Sequence, residues 1–182
     1  MQQSDEQLML DFQGGSAPAF EELFTRYRQS VYGFFRRRLA HAARAEELAQ
    51  EVFVIVLRGV ERYEQRSTFR AYLFGIAVRQ LWSERRRELR DNRKMSESAS
   101  TGSSSASPSG DPATGIWIRG ALERLDPAHR EVLMLREYEE LSYDDIADAL
   151  GVPVNTVRSR LFRARAELKT LLDERAMERS SR

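Results

Sequence analysis

Residues 142–168 constrain the fold of this chain more than any other stretch, because they contain two short helical patterns joined by a tight turn. Ser142 can cap the first helix, and two aspartates follow in its first turn, where the helix dipole favours negative charge. Gly151 can end that helix, and Pro153 is tolerated only near the start of the next one, which we expect to begin near Val154. The stretch therefore predicts a helix-turn-helix.

The second helix of this motif has two faces of different chemistry. Asn155 or Thr156 can cap its first amides. At about 100° per residue its apolar side chains share one stripe, which we expect to be buried: Val157, Leu161, Ala164 and Leu168. Residues 154–170 hold five Lys or Arg against one acid, which suits phosphate, although a solvated basic helix would look the same. The candidate DNA-contacting residues lie off the stripe: Asn155, Thr156, Arg158, Ser159, Arg160, Phe162, Arg163 and Arg165.

Four further helices are predicted in the N-terminal half from apolar residues at three- and four-residue steps. The first follows the Ser4 and Gln7 capping pattern, the second begins near Pro18, the third spans about 44–60, and the fourth begins at Phe69. The segment 61–68 is polar and lacks a period, which indicates a loop. The buried face predicted for the third helix consists of Leu48, Ala49, Val52, Ile55, Val56 and Gly59.

Residues 92–115 contain eight serines, three glycines and two prolines, and this composition cannot bury enough apolar surface to order itself. We expect a flexible tether there. After it, helices over about 116–125 and 128–139 join the helix-turn-helix in a small four-helix domain. The predicted fold class is all-α, with two small helical domains joined by a flexible linker: residues 1–91, 92–115 and 116–182.

Several classes of protein are excluded by what the 182 residues lack. There is no cysteine, and the two isolated histidines, which we expect at the surface, cannot form a zinc site, so neither a metal nor a cofactor is expected. No P-loop lysine motif, GxGxxG or HExxH pattern supports an enzyme. The N-terminus lacks a signal-peptide pattern and no apolar run approaches membrane-spanning length, so we expect a cytoplasmic protein without membrane insertion.

Three stretches together resemble a known family, the group 4 or extracytoplasmic-function sigma factors of bacterial RNA polymerase. AEELAQEVFVIVLR (45–58) is similar to the conserved region 2.2 helix, and STFRAYLFGIAVRQLWSERRR (67–87) is similar to the promoter-melting and −10 region. Residues 125–168 resemble region 4. The resemblance implies a factor that binds core polymerase, directs it to promoters through −10 and −35 elements, and promotes DNA melting.

The resemblance also implies roles for particular residues. In the family the region 2.2 helix binds the arginine-rich β′ coiled coil of core polymerase, which implicates Glu47, Gln50 and Glu51 here, and region 4 is expected at the β flap and the −35 element. An anti-sigma factor is a frequent further partner. Arg79 and Ser83 stand where the family often has Asn and Asp, so the −10 base preference is open. The residues implicated in −10 contact and melting are Tyr63, Arg66, Ser67, Thr68, Arg70, Arg79, Arg85 and Arg86.

The alternative hypothesis is a helix-turn-helix regulator that binds DNA outside the polymerase. Such a regulator usually carries a sensor or dimerisation domain beside its DNA-binding domain. The N-terminal half of this chain resembles no ligand sensor, which favours the sigma-factor hypothesis.

Overall fold

A computed structural model of the chain describes residues 3–96 and 112–180. These residues form eight α-helices and one short 3₁₀ helix, and none of them lies in a strand, so the predicted all-α fold class is confirmed. The helices are α1 (Asp5–Gln13), α2 (Ala17–Arg36), α3 (Ala42–Gly59), the 3₁₀ turn (Val60–Arg62), α4 (Phe69–Ser96), α5 (Pro112–Arg124), α6 (Pro127–Glu137), α7 (Tyr143–Leu150) and α8 (Val154–Ser180).

The chain divides into two compact units, the first holding α1 to α4 and the second holding α5, α6, most of α7 and α8. Both ends of the predicted tether 92–115 are helical, because α4 ends at Ser96 and α5 begins at Pro112. Helix α4 continues to Ser96 because no Gly or Pro interrupts it, and Pro112 fits the first turn of α5. Residues 97–111, where the rest of the tether is predicted, lie outside the described residues.

Aromatic side chains hold the first unit together. Ser4 caps α1, its hydroxyl accepting from the Gln7 amide at 3.2 Å, as the sequence predicted. The aromatic stripe of α2 is core, which confirms its assignment: Phe34 and Phe35 are fully buried, and Phe34 meets Phe74 of α4 at a centroid distance of 5.8 Å. Burying a Phe side chain contributes about 2 kcal/mol, so this aromatic layer is the main support for the helices that carry the site.

The buried face of α3 differs from the prediction at two positions. Ile55 is 36% exposed and Gly59 is only half-buried, whereas Phe53 is 5% exposed and packs edge-on against Phe24 with centroids 4.9 Å apart. The buried residues of α3 are centred close to the direction of Val56. At about 100° per residue Phe53 lies about 60° from that direction and Ile55 about 100° from it. The assignment of Ile55 to the core was therefore wrong.

The second unit packs α6 against α8. The Asp126 carboxylate caps α6 by accepting from the amides of Ala128 and His129 at 2.8 and 3.2 Å. Leu135, Leu141 and Ile146 are fully buried. Helix α6 ends at Glu137, two residues before the predicted end.

One of the two histidines expected at the surface is instead partly buried. The side chain of His129 is only 14% exposed, and its Nδ1 lies 2.9 Å from Glu167 Oε1 of α8. Its expected surface position was wrong, because the pairing of α6 with α8 covers it. His41, which precedes α3, is exposed as expected.

Candidate nucleic-acid interfaces and docking face

The helix-turn-helix predicted from the sequence is present in the second unit. The Asp145 amide donates to Ser142 Oγ at 3.0 Å, and the Ser142 amide donates back to Asp145 Oδ2 at 3.2 Å, which forms a reciprocal cap on α7. Gly151 adopts φ +65° in the turn, a conformation that costs an L side chain about 1 kcal/mol or more. Helix α8 then begins at Val154, as predicted.

In the described part of the chain, neither Asn155 nor Thr156 makes the side-chain cap that was predicted for the start of α8. Asn155 and Thr156 lie inside the first turn rather than before it, and the Thr156 amide donates to the Pro153 carbonyl at 2.9 Å. Asn155 Oδ1 instead accepts from Arg158 Nη1 at 3.2 Å. The capping assignment was wrong because the N-cap position is Pro153, two residues before Asn155 and three before Thr156.

The exposed face of α8 matches the angular prediction. Val157, Leu161 and Ala164 are at most 2% exposed, and Leu168 at the end of the stripe is half-buried. Arg160 and Thr156 are half-buried at the flanks. Phe162 is 77% exposed, which is unusual for a ring without a partner surface. The remaining candidate residues are all exposed: Asn155, Arg158, Ser159, Arg163 and Arg165.

Besides Asn155 and Arg158, further exposed side chains on α8 are bonded within the chain. Ser159 Oγ donates to the Thr156 carbonyl at 3.0 Å. Arg165 Nη2 donates to Glu137 Oε1 at 2.8 Å, and this bond raises the pKa of the guanidinium. Arg165 therefore offers phosphate a cation whose charge is partly balanced by α6.

The loop 63–68 joins the 3₁₀ turn to α4 and is tied to the first helix at both ends. Gln13 Nε2 donates to the carbonyls of Val60 and Tyr63 at 3.0 and 3.1 Å. At the other end Glu6 Oε1 accepts from the Phe69 amide at 3.0 Å, and Thr68 Oγ1 accepts from the Ala71 amide at 3.1 Å. Both ends of the loop are thus fixed on the helices of the first unit.

Side-chain exposure separates the candidate residues of this loop. Tyr63 is 6% exposed and packs edge-on against Tyr72 at 5.1 Å, its hydroxyl lacks a hydrogen-bond partner among the described atoms, and burial raises its pKa. Arg66 is exposed and donates from Nε to Glu64 Oε2 at 2.6 Å. Thr68 is exposed and Ser67 is half-buried. The exposed residues, rather than the Tyr63 ring, form the outer surface of the loop.

The part of helix α4 that follows the buried residue Leu81 exposes both basic and apolar side chains. Arg79 and Arg86 are exposed, whereas Arg70 and Arg85 are half-buried. Trp82 is 38% and Leu89 is 62% exposed, and neither of them was assigned from the sequence. Their spacing of seven residues puts them on one side of the helix. This spacing could have predicted from the sequence that an apolar stripe lies among the arginines.

The acceptors predicted on α3 do face out from the first unit. Gln50 is exposed, and the side chains of Glu47 and Glu51 are 62% and 46% exposed. Both carboxylates contact Arg44 in the first turn of the same helix, whose Nη1 lies 2.9 Å from Glu47 Oε2 and 3.5 Å from Glu51 Oε1. We call Glu47, Gln50 and Glu51 the docking face.

Arg44 also joins the docking face to helix α4. Its Nε and Nη2 donate to the two oxygens of Glu84, each at 2.7 Å. The Glu84 side chain is only 9% exposed, and the hydrogen bond from Arg44 holds its pKa below the usual range. This link could not be found from the sequence, because the partners are forty residues apart and meet only when α3 packs on α4.

Apolar side chains extend the docking face along α3. Val54 is 39% and Leu57 is 41% exposed, one and two turns beyond Gln50. Exposed apolar groups are typical of the centre of a protein–protein interface, and charged groups are typical of its rim. Helical periodicity in the sequence could have predicted that Val54 and Leu57 are exposed, because it puts them on the same side of α3 as Glu47, away from the buried stripe.

Metal and membrane sites are not found in the part of the chain that the structure describes. Among residues 3–96 and 112–180, no group of three or more His, Cys, Asp or Glu side chains could hold a metal ion. The same residues contain no helix that is both long and apolar enough to cross a bilayer.

Comparison with known proteins matches both units. Residues 23–91 match the family model described as Sigma-70 region 2, and residues 116–168 match the one described as Sigma-70, region 4. The RNA polymerase sigma factor CarQ of Myxococcus xanthus is 33% identical over 172 residues, which cover 92% of this chain and 97% of CarQ. The chain belongs to the sigma-70 family.

A further relative identifies the group within that family. The ECF RNA polymerase sigma-E factor of Haemophilus influenzae is 31% identical over 176 residues, covering 90% of this sigma factor and 93% of the relative. The solved sigma factor RpoE of Bartonella quintana, in complex with the anti-sigma factor NepR, has the same fold, with a TM-score of 0.71, 24% identity, and coverage of 85% and 96%. The chain is thus a sigma factor of the extracytoplasmic-function type, and the alternative of a regulator outside the polymerase finds no support.

Proposed function

We propose that this sigma factor binds core RNA polymerase through the docking face of α3. Glu47, Gln50 and Glu51 offer oxygen acceptors to guanidinium groups, and the two carboxylates can form charge-assisted hydrogen bonds with them. Val54 and Leu57 add apolar area next to them. The arginine-rich β′ coiled coil that the family uses fits this combination, and the β flap is the second core contact, made by the second unit.

The −10 element is assigned to the loop 63–68 and to α4. A base flipped out of the duplex costs a few kcal/mol to extrude, so a site that binds the extruded form promotes melting. Arg66, Ser67 and Thr68 supply the outer surface of that site, while the buried Tyr63 ring supports the loop from below. The arginines of α4 contact the phosphate backbone: Arg70, Arg79, Arg85 and Arg86.

The −35 element is assigned to the exposed face of α8. The observation that carries this assignment is the sharp division of the helix, with Val157 and Leu161 buried on one side and Ser159, Phe162 and Arg163 exposed on the other. A helix of this kind fits the major groove, where an arginine can donate two hydrogen bonds to guanine. Asn155 lies on the same exposed side as Ser159 and Arg163, whereas the groove walls are contacted from the flanks of the helix by Thr156, Arg158, Arg160 and Arg165.

The protein acts by binding alone. We propose that it catalyses no covalent step and that it works in the cytoplasm with the polymerase. The docking face and the exposed face of α8 are also the surfaces that a silencing protein would have to cover, and we propose an anti-sigma factor as its second protein partner.

Charge reversal on the docking face tests this proposal. Glu47→Lys should weaken association with sigma-free core at least tenfold, because it opposes one cation with another, while the helical circular dichroism stays unchanged. Glu21→Lys, on an exposed carboxylate of α2, makes the same charge change elsewhere and should leave core affinity within twofold. Equal effects of the two substitutions would place core binding outside the docking face.

A further inference from the structure

A single guanidinium connects three carboxylates of the first unit. Arg44 donates through Nε and Nη2 to both oxygens of Glu84 at 2.7 Å, and through Nη1 to Glu47 at 2.9 Å and to Glu51 at 3.5 Å. Its side chain is 25% exposed and lies at the edge between the interior and the docking face. One cation therefore serves two carboxylates that are assigned to a partner.

The bonds to the three carboxylates differ in strength. The contact with Glu84 is a two-bond fork onto a side chain that is 9% exposed, and this geometry is both strong and specific. The contacts with Glu47 and Glu51 use one remaining nitrogen and reach side chains that are 62% and 46% exposed. Water and salt screen such pairs, so they are weak and easily exchanged. Arg44 is anchored on Glu84 and holds the other two loosely.

Glu47 and Glu51 also need a cation between them in the free protein. They are four residues apart on one helix, where two like charges destabilise each other. Arg44 neutralises part of that repulsion, but it occupies one oxygen of each carboxylate, and a partner arginine that binds through a two-bond fork uses both oxygens. Binding of a partner arginine therefore requires that Glu47 and Glu51 exchange one guanidinium for another.

We propose that Arg44 is a positioning residue that occupies the docking carboxylates in the free sigma factor and yields them to arginines of the core polymerase. This rests on the proposed function of the docking face. Arg44 stays on Glu84 during the exchange, so no conformational change of α3 is needed. Its effect on the free protein is to lower core affinity below the level that Glu47 and Glu51 would reach without an internal competitor.

The test removes the competitor without leaving a buried charge. Arg44→Met alone would strand Glu84, so Arg44→Met and Glu84→Met are combined, which replaces the ion pair with apolar side chains of similar length. Association with sigma-free core is measured by fluorescence titration at low and high salt. The double variant should bind core about fivefold more tightly than wild type at low salt, and the gain should shrink at high salt.

A cycle with the docking carboxylates separates competition from a purely structural role. A second pair of variants carries Glu47→Gln and Glu51→Gln, with and without Arg44→Met and Glu84→Met. These two variants should bind core with equal affinity, because the carboxylates for which Arg44 competes have been removed from both. Thermal unfolding of every variant checks that the first unit is folded. A gain that persists in this second pair, or a double variant that binds no more tightly than wild type, would overturn the role of Arg44. Failure of wild type to bind core would instead refute the proposed function, and the role of Arg44 with it.

Discussion

Single side chains on α8 carry the sequence preference that we assign to this protein. Arg163 is exposed on the side opposite Val157, and its angular position could be predicted because helical periodicity alone decides which side is buried. Arg165 was predicted at a flank, and it is exposed there. Its bond to Glu137 could not be predicted, since it depends on how α6 packs on α8.

The two arginines should therefore respond differently to truncation. Arg163→Ala should relax base preference at one or two −35 positions, with a loss of about 1–3 kcal/mol of discrimination. Arg165→Ala should weaken all sequences alike and lower the salt slope by about one unit. Binding of the holoenzyme to a library of −35 sequences at two salt concentrations measures both effects. A uniform loss of affinity for Arg163→Ala, with unchanged preference, would contradict its assignment as the base-contacting residue.

The carboxylate of Glu84 should make the stability of the first unit depend on pH, and the direction of this dependence follows from its pKa. Arg44 holds the pKa of this carboxyl below its usual range in the folded protein. A group of this kind stabilises the fold above its unfolded pKa, near 4.3, and loses that contribution as the pH falls through the lower folded pKa.

We expect Glu84→Gln to destabilise the protein near neutral pH and the difference from wild type to shrink as the pH falls from about 6 to about 3. Urea unfolding followed by circular dichroism measures it. The exposed Glu46→Gln is the matched control and should stay close to wild type across the range. A difference for Glu84→Gln that does not change with pH would show that the ionised pair is not its cause.

At the scale of elements, the sequence predicted the helices well and their contacts poorly. The α7–α8 turn could be predicted because Ser142, Gly151 and Pro153 each restrict the backbone locally. The error at Ile55 arose because an apolar residue at the edge of a stripe fits either the core or a docking surface. Tyr63 shows the reverse case, in which an aromatic ring in a polar loop is buried by a partner from α4.

The same substitution, Gly→Ala, should change the free energy of unfolding in opposite directions at two glycines of the second unit. At one of them backbone strain decides the effect, and at the other helix propensity does. Gly151 has φ +65°, and among the residues that the structure describes no heavy atom beyond its chain neighbours lies within 4 Å of the point that a Cβ would occupy. Gly151→Ala should therefore destabilise by about 1 kcal/mol through backbone strain alone. Gly120, inside α5, also has open space around it, so Gly120→Ala should stabilise by about 0.5–1 kcal/mol. Urea unfolding of the full chain measures both. Changes of the same sign would contradict the role of the turn conformation.

At the scale of the whole molecule, the proposed binding of core and DNA is divided between two units. Their separation could be predicted from composition, because residues 97–111 hold few groups that could be buried. The flexibility of this tether stays a prediction. Limited proteolysis should cut first within 97–111 and leave two resistant fragments. One resistant core that retains these residues would contradict it.

The central claim is that this chain, bound to core polymerase, selects promoters through α8 and the −10 loop. Transcription from a library of promoter fragments with sigma-free core, in the presence and absence of the protein, tests it most directly. We predict promoter-specific transcripts with the wild-type protein and none without a sigma factor. Glu47→Lys should give few transcripts, and Arg163→Ala should give transcripts from a changed set of −35 sequences. Transcripts that do not depend on the protein, or a wild-type protein that binds DNA but starts no transcript, would contradict the account.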